Sequence, residues 1–230
     1  LQLKLTPQRN ALLKGFDNEF YALLQITDEN INQENGTKKN LNLSIVLDKS
    51  GSMSGQPFEE AKKAGELIKT TEIIFTSMFT SALKRAQLTG EIILKGIGQV
   101  GIPVIKDQAL NERDYGSLSG LNKDDAREKW GNEQVHIWRR SYDMPPPDGE
   151  SLKNTAERVL PYFNELVMPM IFNGDNILVA AHGNSLRALI MQLDKISEEN
   201  IVKLEIPTGA PIHYQFAEDG SVALKQNLYE

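Results

Sequence analysis

The sequence contains no cysteine. That excludes disulfides, zinc–thiolate sites, iron–sulfur clusters and thiol nucleophiles, and it fits a reducing, cytoplasmic setting. Histidine is almost as scarce. His136, His182 and His213 are the only three in 230 residues, and none precedes position 136. No apolar run approaches the ~18 residues of a membrane span, and no secretory leader is legible. Basic residues are outnumbered, 25 Lys and Arg against 31 Asp and Glu, for a net charge of −6. Sequence-independent nucleic-acid binding rests on cations that neutralise phosphates, so it is not expected. What remains is ordinary: 40% hydrophobic and 24% charged residues, with 17 glycines and 10 prolines. Disorder and low-complexity arrays are excluded on that composition. The length allows one large domain or two small ones.

Strand and helix patterns alternate along most of the chain. Leu1–Leu5 alternates with period two and Phe20–Ile26 is a short apolar run, so residues 1–40 read as a β-rich arm. Residues 28–42 are polar and contain the turn signal Asn35-Gly36. Leu43–Leu47 reads as a buried strand, followed by a Gly/Ser loop and a helix over 58–69 with Ala61, Ala64, Leu67 and Ile68 inward. Next come a strand at Glu72–Phe75 and a helix over 81–95 with Ala82, Leu83, Ala86 and Ile93 inward. A helix over 123–140 is broken at Gly131. Pro145-Pro146-Pro147 makes 142–149 a loop. A helix over 151–166, a strand at 176–181, a helix over 185–196 and a strand at 211–216 complete the order. The expected fold is α/β in three layers, a mainly parallel sheet over residues 41–230 with helices on both faces. The near-repeat Phe75-Thr76-Ser77-Met78 and Phe79-Thr80-Ser81-Ala82 reads as a small insertion.

Two constellations carry chemistry. The first is Asp48, Ser50 and Ser52, oxygens at i, i+2 and i+4 at the end of a strand, a pattern that can face one hard cation such as Mg²⁺. The stretch LNLSIVLDKSGSMSG, with LKLTPQRNALLKG and NEFYALLQITDE before it, resembles the metal-ion-dependent adhesion motif and lead-in of von Willebrand factor A domains over residues 1–64. That resemblance implies a Mg²⁺-dependent protein-binding module. The family's later Thr and Asp ligands are missing here. Three ligands with one charge do not make a tight Mg²⁺ site, and the segment reads as a Ser/Gly turn capping the next helix.

The second constellation is built on arginine and His182. Seven of the eight arginines lie at or beyond position 85, and guanidinium forks suit phosphate and carboxylate. His182 follows the apolar run Ile177–Ala181 and precedes a helix. That is the carboxyl end of a strand, where open α/β sheets place their sites and a helix N-terminus faces an anion. His136 and His213 read as a helix-face residue and a strand residue.

The stretches TSALKRAQ, ALNERDYGSLSGLNKDDAREKWG, EQVHIWRRSYDMPPP, GESL, LVAAHGNSLRALI and EIPTGAPIHY resemble the cofactor-dependent phosphoglycerate mutases of the histidine phosphatase superfamily, over residues 67–230. The resemblance implies a cytoplasmic glycolytic isomerase acting on a small phosphorylated substrate. It would be primed by 2,3-bisphosphoglycerate and need no metal; a homo-oligomer stays open. It implies Glu112 as general acid/base, His182 as the second active-site histidine and Arg85 as a phosphate clamp. Tyr115, Lys123, Arg139, Arg140 and Asn184 would be substrate contacts.

One departure matters. The family's first strand ends in a phospho-accepting Arg-His-Gly. The only His-Gly in this sequence is His182-Gly183, and Leu43–Leu47 leads into Asp48-Lys49-Ser50. The two resemblances meet within residues 59–64, so the chain resembles a chimera: the start of an A domain on a mutase without its first strand and loop. The expectation is a mutase-like fold with lost or severely impaired turnover. The alternatives are the A-type binding module and a recombined chain with no selected function.

Overall fold

The computed structural model describes residues 2–7, 22–27, 41–47 and 56–229. The chain divides into two units, Leu1–Lys38 and Lys39–Glu230. In the first, β1 (Gln2–Pro7) and β2 (Ala22–Thr27) pair antiparallel as a two-stranded sheet.

The second unit is ordered β3 (Leu41–Leu47), α1 (Gln56–Lys69), β4 (Ser77–Ser81), α2 (Lys84–Gly96), β5 (Val104–Asp107), α3 (Lys123–Trp130), α4 (Asn132–Arg140), α5 (Leu152–Tyr162), α6 (Met168–Phe172), β6 (Ile177–Ala181), α7 (Gly183–Leu193), α8 (Glu198–Ile201), β7 (Ile212–Phe216) and β8 (Val222–Asn227). Its six-stranded sheet has the order β5-β4-β6-β3-β7-β8. The β5–β4, β4–β6 and β6–β3 pairs are parallel, whereas β3–β7 and β7–β8 are antiparallel. The fold is therefore α/β with a mainly parallel sheet, as expected.

Strand pleat sorts the core into two layers. Leu43, Ile45 and Leu47 of β3 and Ile177, Val179 and Ala181 of β6 face a cluster that includes Ala156, Val159, Leu186 and Leu189 of α5 and α7. The alternate residues Val46, Leu178 and Ala180 face Ala64, Ile68, Ile93 and Leu94 of α1 and α2. A period of two in the strands against 3.6 in the helices makes this arrangement. It also explains why β6, buried on both faces, reads as an unbroken apolar run.

Two expectations fail around β4. Glu72–Phe75 is a turn and its exit, not a strand. Glu72 has φ +56, Ile74 is 67% exposed, and Gln99 occupies the backbone through Phe75 N–H and Ile73 C=O. The strand is Ser77–Ser81, fully buried, so the near-repeat is no insertion: it contains a strand of the sheet. Helix α2 accordingly begins at Lys84, with Ala82 exposed ahead of it. Gly131, with φ +82, makes the break between α3 and α4. The helix over 151–166 continues instead through a π-turn at Phe163–Val167, between Pro161 and Pro169, into α6. No helix among the described residues is long and apolar enough to cross a membrane.

Candidate active site

The parallel strands β3, β4 and β6 run in register, Leu47 beside Ala181 and Thr80 beside Ala180. Their carboxyl ends thus lie at one edge. His182 comes directly after β6 as the N-cap of α7, with an extended backbone at φ −117 and ψ 166. Ser185 holds this corner: its Oγ accepts the His182 N–H at 3.1 Å and donates to the His182 carbonyl. The imidazole is buried, and its Nε2 lies 2.7 Å from Oγ of Ser81, the last residue of β4. Ser81 Oγ also accepts the Leu83 N–H at 3.1 Å. The end of β4 therefore holds the ring, while Ser185 fixes the backbone that carries it.

Glu112 reaches the same corner from the loop after β5. Its Oε1 accepts the Arg113 N–H at 2.8 Å, the Asn184 N–H at 3.2 Å and Asn184 Nδ2 at 2.9 Å. A Cβ placed on Gly183 would stand 3.7 Å from Glu112 Oε2, 3.7 Å from Arg187 Nη1 and 3.9 Å from Leu47 Cδ1. The carboxylate, a guanidinium and the end of β3 thus all lie close to the first turn of α7. Asn184 is the hub. Besides Glu112, its Nδ2 donates to Tyr115 Oη at 3.1 Å and its Oδ1 accepts from Arg187 Nη1 at 3.2 Å.

Arg158 fixes the loop that carries Glu112. From α5 it pairs with Glu150, Nη2 to Oε2 at 2.8 Å and Nε to Oε1 at 2.9 Å, and it donates to the carbonyls of Ala109, Asn111 and Glu112. Burial alone would raise the Glu150 carboxyl. Hydrogen bonds from Arg158, the Asp114 N–H and Thr155 outweigh it and hold the group below the ordinary carboxylate range.

Beside the Asn184 hub opens a cavity of about 320 Å³ whose charged lining, among the described residues, is Arg113, Arg139, Arg140, Arg187 and one carboxylate, Glu205. Tyr115 and Asn184 also line it. Arg113 is 3% exposed and anchored to the carbonyls of Glu150 and Trp138. The Arg113 and Arg139 guanidinium carbons lie 4.9 and 5.6 Å from the Tyr115 ring centre. Burial draws the pKa of both Arg113 and Arg187 downward, with Tyr115 and Glu112 opposing. Cations withdrawn from water beside one another favour an anion that pairs with several at once.

Among the residues expected from sequence, Tyr115, Arg139, Arg140 and Asn184 line this cavity, and Glu112 is one hydrogen bond behind it. His182 lies next to Gly183 at the strand edge, and Arg85 sits in the first turn of α2, four residues past Ser81; neither lines the cavity. Lys123 opens α3, and its side chain lies outside the described residues. Asp48, Ser50 and Ser52, and with them the cation reading, lie outside the described residues too. Arg113 and Arg187 were not expected as lining residues. Their only signal was membership of the arginine-rich half of the chain. His136 is exposed on α4, and His213 is buried in β7 with Nε2 2.9 Å from Asn42 Oδ1.

Comparison with known proteins identifies the family and the fold. A model of the histidine phosphatase superfamily (branch 1) matches residues 53–228. The chain is 59% identical over 178 residues to a 2,3-bisphosphoglycerate-dependent phosphoglycerate mutase of Parvibaculum lavamentivorans, covering 77% of this chain and 85% of that one. A protein of the same name from Rhodopseudomonas palustris is 57% identical, over 74% of this chain and 83% of its own. Among solved structures, the alpha-ribazole phosphatase from Shigella flexneri superposes with a TM-score of 0.67 at 19% identity, covering 81% of this chain and 96% of that one. At that identity the likeness concerns the fold alone.

Proposed function

We propose a function for a chain that belongs to the histidine phosphatase superfamily (branch 1): it binds a three-carbon phosphorylated acid in a site of phosphoglycerate mutase type and turns it over very slowly. The observation that carries this reading is the Asn184 hub, which joins Glu112, Tyr115 and Arg187 at the mouth of an arginine-lined cavity. A phosphate and a carboxylate on one small molecule can each take a guanidinium fork there.

Roles follow from the family resemblance, and the geometry is compatible with the main ones. Arg113, Arg139, Arg140 and Arg187 hold the anionic groups. Glu112 is the general acid/base: three donors fix Oε1, and Oε2 faces Gly183, where a substrate hydroxyl would approach the strand edge. His182, held by Ser81, supports the phosphoryl group as charge shifts during transfer. By the same resemblance, Arg85 serves that group from α2. The donor set suits 2,3-bisphosphoglycerate as a polyanion, and that compound, when bound, would supply the priming phosphoryl group.

The limit on turnover lies at the end of β3. The chain leaves Leu47, beside Ala181, with Asp48 as its next residue, where mutases present the phospho-accepting histidine. The family match begins only at residue 53, which supports reading the preceding strand and loop as replacements for the family's own. Loss of a covalent nucleophile lowers turnover by about 10⁴–10⁶. Binding should persist at about millimolar strength, equivalent to about 4 kcal/mol.

Calorimetric titration with 3-phosphoglycerate tests the binding half. The expected result is one millimolar site that weakens with salt and is lost in Arg187→Ala. Affinity unchanged in Arg187→Ala, or no binding by the native chain, would refute the reading.

A further inference from the structure

The arginines of the cavity come from separate pieces of chain. Arg113 belongs to the loop that carries Glu112, Arg139 and Arg140 to the last turn of α4, and Arg187 to α7. The buried apolar residues of α3 and α4 are Ala126, Val135 and Trp138, which gather with Leu118 in a cluster apart from the main core. That cluster stops at Trp138, one residue before Arg139, and both Arg139 and Arg140 are exposed.

Arg113 supplies a polar link at this point. One edge of its guanidinium spans two carbonyls: Nε donates to Glu150 at 2.6 Å and Nη2 to Trp138. The Trp138 carbonyl is one of the last four of α4, which a helix does not satisfy from within. Its neighbour, the Ile137 carbonyl, accepts the Ser141 N–H at 2.9 Å. A cation is also the favourable charge at a helix C-terminus. Glu150 is strapped in turn to the Glu112 loop: its N–H donates to the Asp114 carbonyl at 2.7 Å, and its Oε2 accepts the Asp114 N–H at 3.0 Å. The backbone N–H of Arg113 itself meets Glu112 Oε1 at 2.8 Å. At 3% exposure these bonds are made out of water, so breaking them leaves buried groups unpaired.

We propose that Arg113 is a positioning residue: besides lending its charge to the cavity, it caps α4 and holds Arg139 and Arg140 in place relative to Glu112. This rests on the phosphoglycerate reading above, in which those two arginines grip the substrate and Glu112 moves its proton. Lysine at 113 would keep the charge. As a point donor on a flexible stem it could not grip both carbonyls as a planar fork does. A role of charge alone makes Arg113→Lys mild, whereas a positioning role does not.

Amide hydrogen exchange on the ligand-free native chain and on Arg113→Lys reads the proposal without substrate. In the native chain the Arg113 Nε–H should itself be protected. In Arg113→Lys the amides of Arg139, Arg140 and Ser141 should exchange about tenfold faster, while those of β6 stay unchanged. Titration with 3-phosphoglycerate then reads the coupling. Arg140→Gln should weaken binding about fivefold in the native background and less than about twofold in Arg113→Lys, because the fork that aims Arg140 is already gone. An unprotected Arg113 Nε–H, or α4 amides indifferent to Arg113→Lys, would overturn the proposal, as would equal effects of Arg140→Gln in both backgrounds. The expected exchange pattern in a native chain that binds no 3-phosphoglycerate would support the role of Arg113 and count against the phosphoglycerate reading alone.

Discussion

Replacing Arg158 by methionine should unfasten the loop that presents Glu112. The side chain would keep its bulk while losing two charge-assisted bonds to Glu150 and those to the carbonyls of Ala109, Asn111 and Glu112. Removing one partner of a buried ion pair costs about 3–5 kcal/mol. Both side chains are 25% exposed, so water recovers part of the loss and the lower end, about 3 kcal/mol, is expected. At roughly 2–4 °C per kcal/mol for a domain of this size, the melting temperature falls by about 6–12 °C. The pH dependence has a definite sign. The folded Glu150 pKa lies below its ordinary value. The pair's contribution is therefore present in full above the unfolded carboxylate pKa of about 4.3 and is lost as pH falls through the folded value. Urea denaturation of native and Arg158→Met protein should show a constant gap from neutrality down to about pH 5, closing below about 4. A gap under about 1 kcal/mol at neutral pH, or one that grows in acid, would refute the argument.

Three further changes probe the site and its frame. Ser81→Ala removes the hydroxyl 2.7 Å from His182 Nε2; it should destabilise the fold by about 1–3 kcal/mol and shift the His182 ring resonances, with Ser81→Thr restoring both, and unmoved resonances would deny the clamp. Burial alone lowers the pKa of His213, so its contribution to stability is complete above about pH 6.5 and is lost as pH falls toward and through the folded value; His213→Gln should flatten that slope in denaturant titrations, and an unchanged slope would assign it to other groups. Gly116, with φ +49, stands where a Cβ would run into the Pro147 carbonyl; Gly116→Ala should cost about 1–3 kcal/mol and weaken 3-phosphoglycerate binding by moving Tyr115, whereas a neutral effect would show that the turn relaxes freely.

How much of this was legible in the sequence depended on what kind of signal each part left. The β6–His182–α7 corner was readable because a strand buried on both faces is apolar throughout and a helix signal follows it directly. The start of α5 and the break at Gly131 were readable for similar local reasons. Strand β4 was misplaced because Ile73-Ile74-Phe75 is as apolar as a strand. What decides against it is the side chain of Gln99, twenty-four residues away, which takes up the backbone groups of Ile73 and Phe75. Strands β5 and β8 left little pattern, since one has four residues and the other is largely exposed. Arg113 and Arg187 look like any other arginine in the sequence. Their burial and their place on the cavity wall come from contacts with distant carbonyls, Trp138 and Leu204 among them. The residue types of the site could thus be read early, while the choice of which arginines form the pocket needed the fold.

The proposed site is of mutase type, binds its substrate and lacks the group that carries phosphate between positions. A coupled phosphoglycerate mutase assay with added 2,3-bisphosphoglycerate, run beside His182→Ala, tests it most directly. An ordinary turnover of about 10 s⁻¹ reduced by about 10⁴–10⁶ predicts a native rate near background, scarcely changed in His182→Ala. Native turnover within about tenfold of the ordinary value, abolished in His182→Ala, would show that another residue carries the phosphoryl group and would contradict the account.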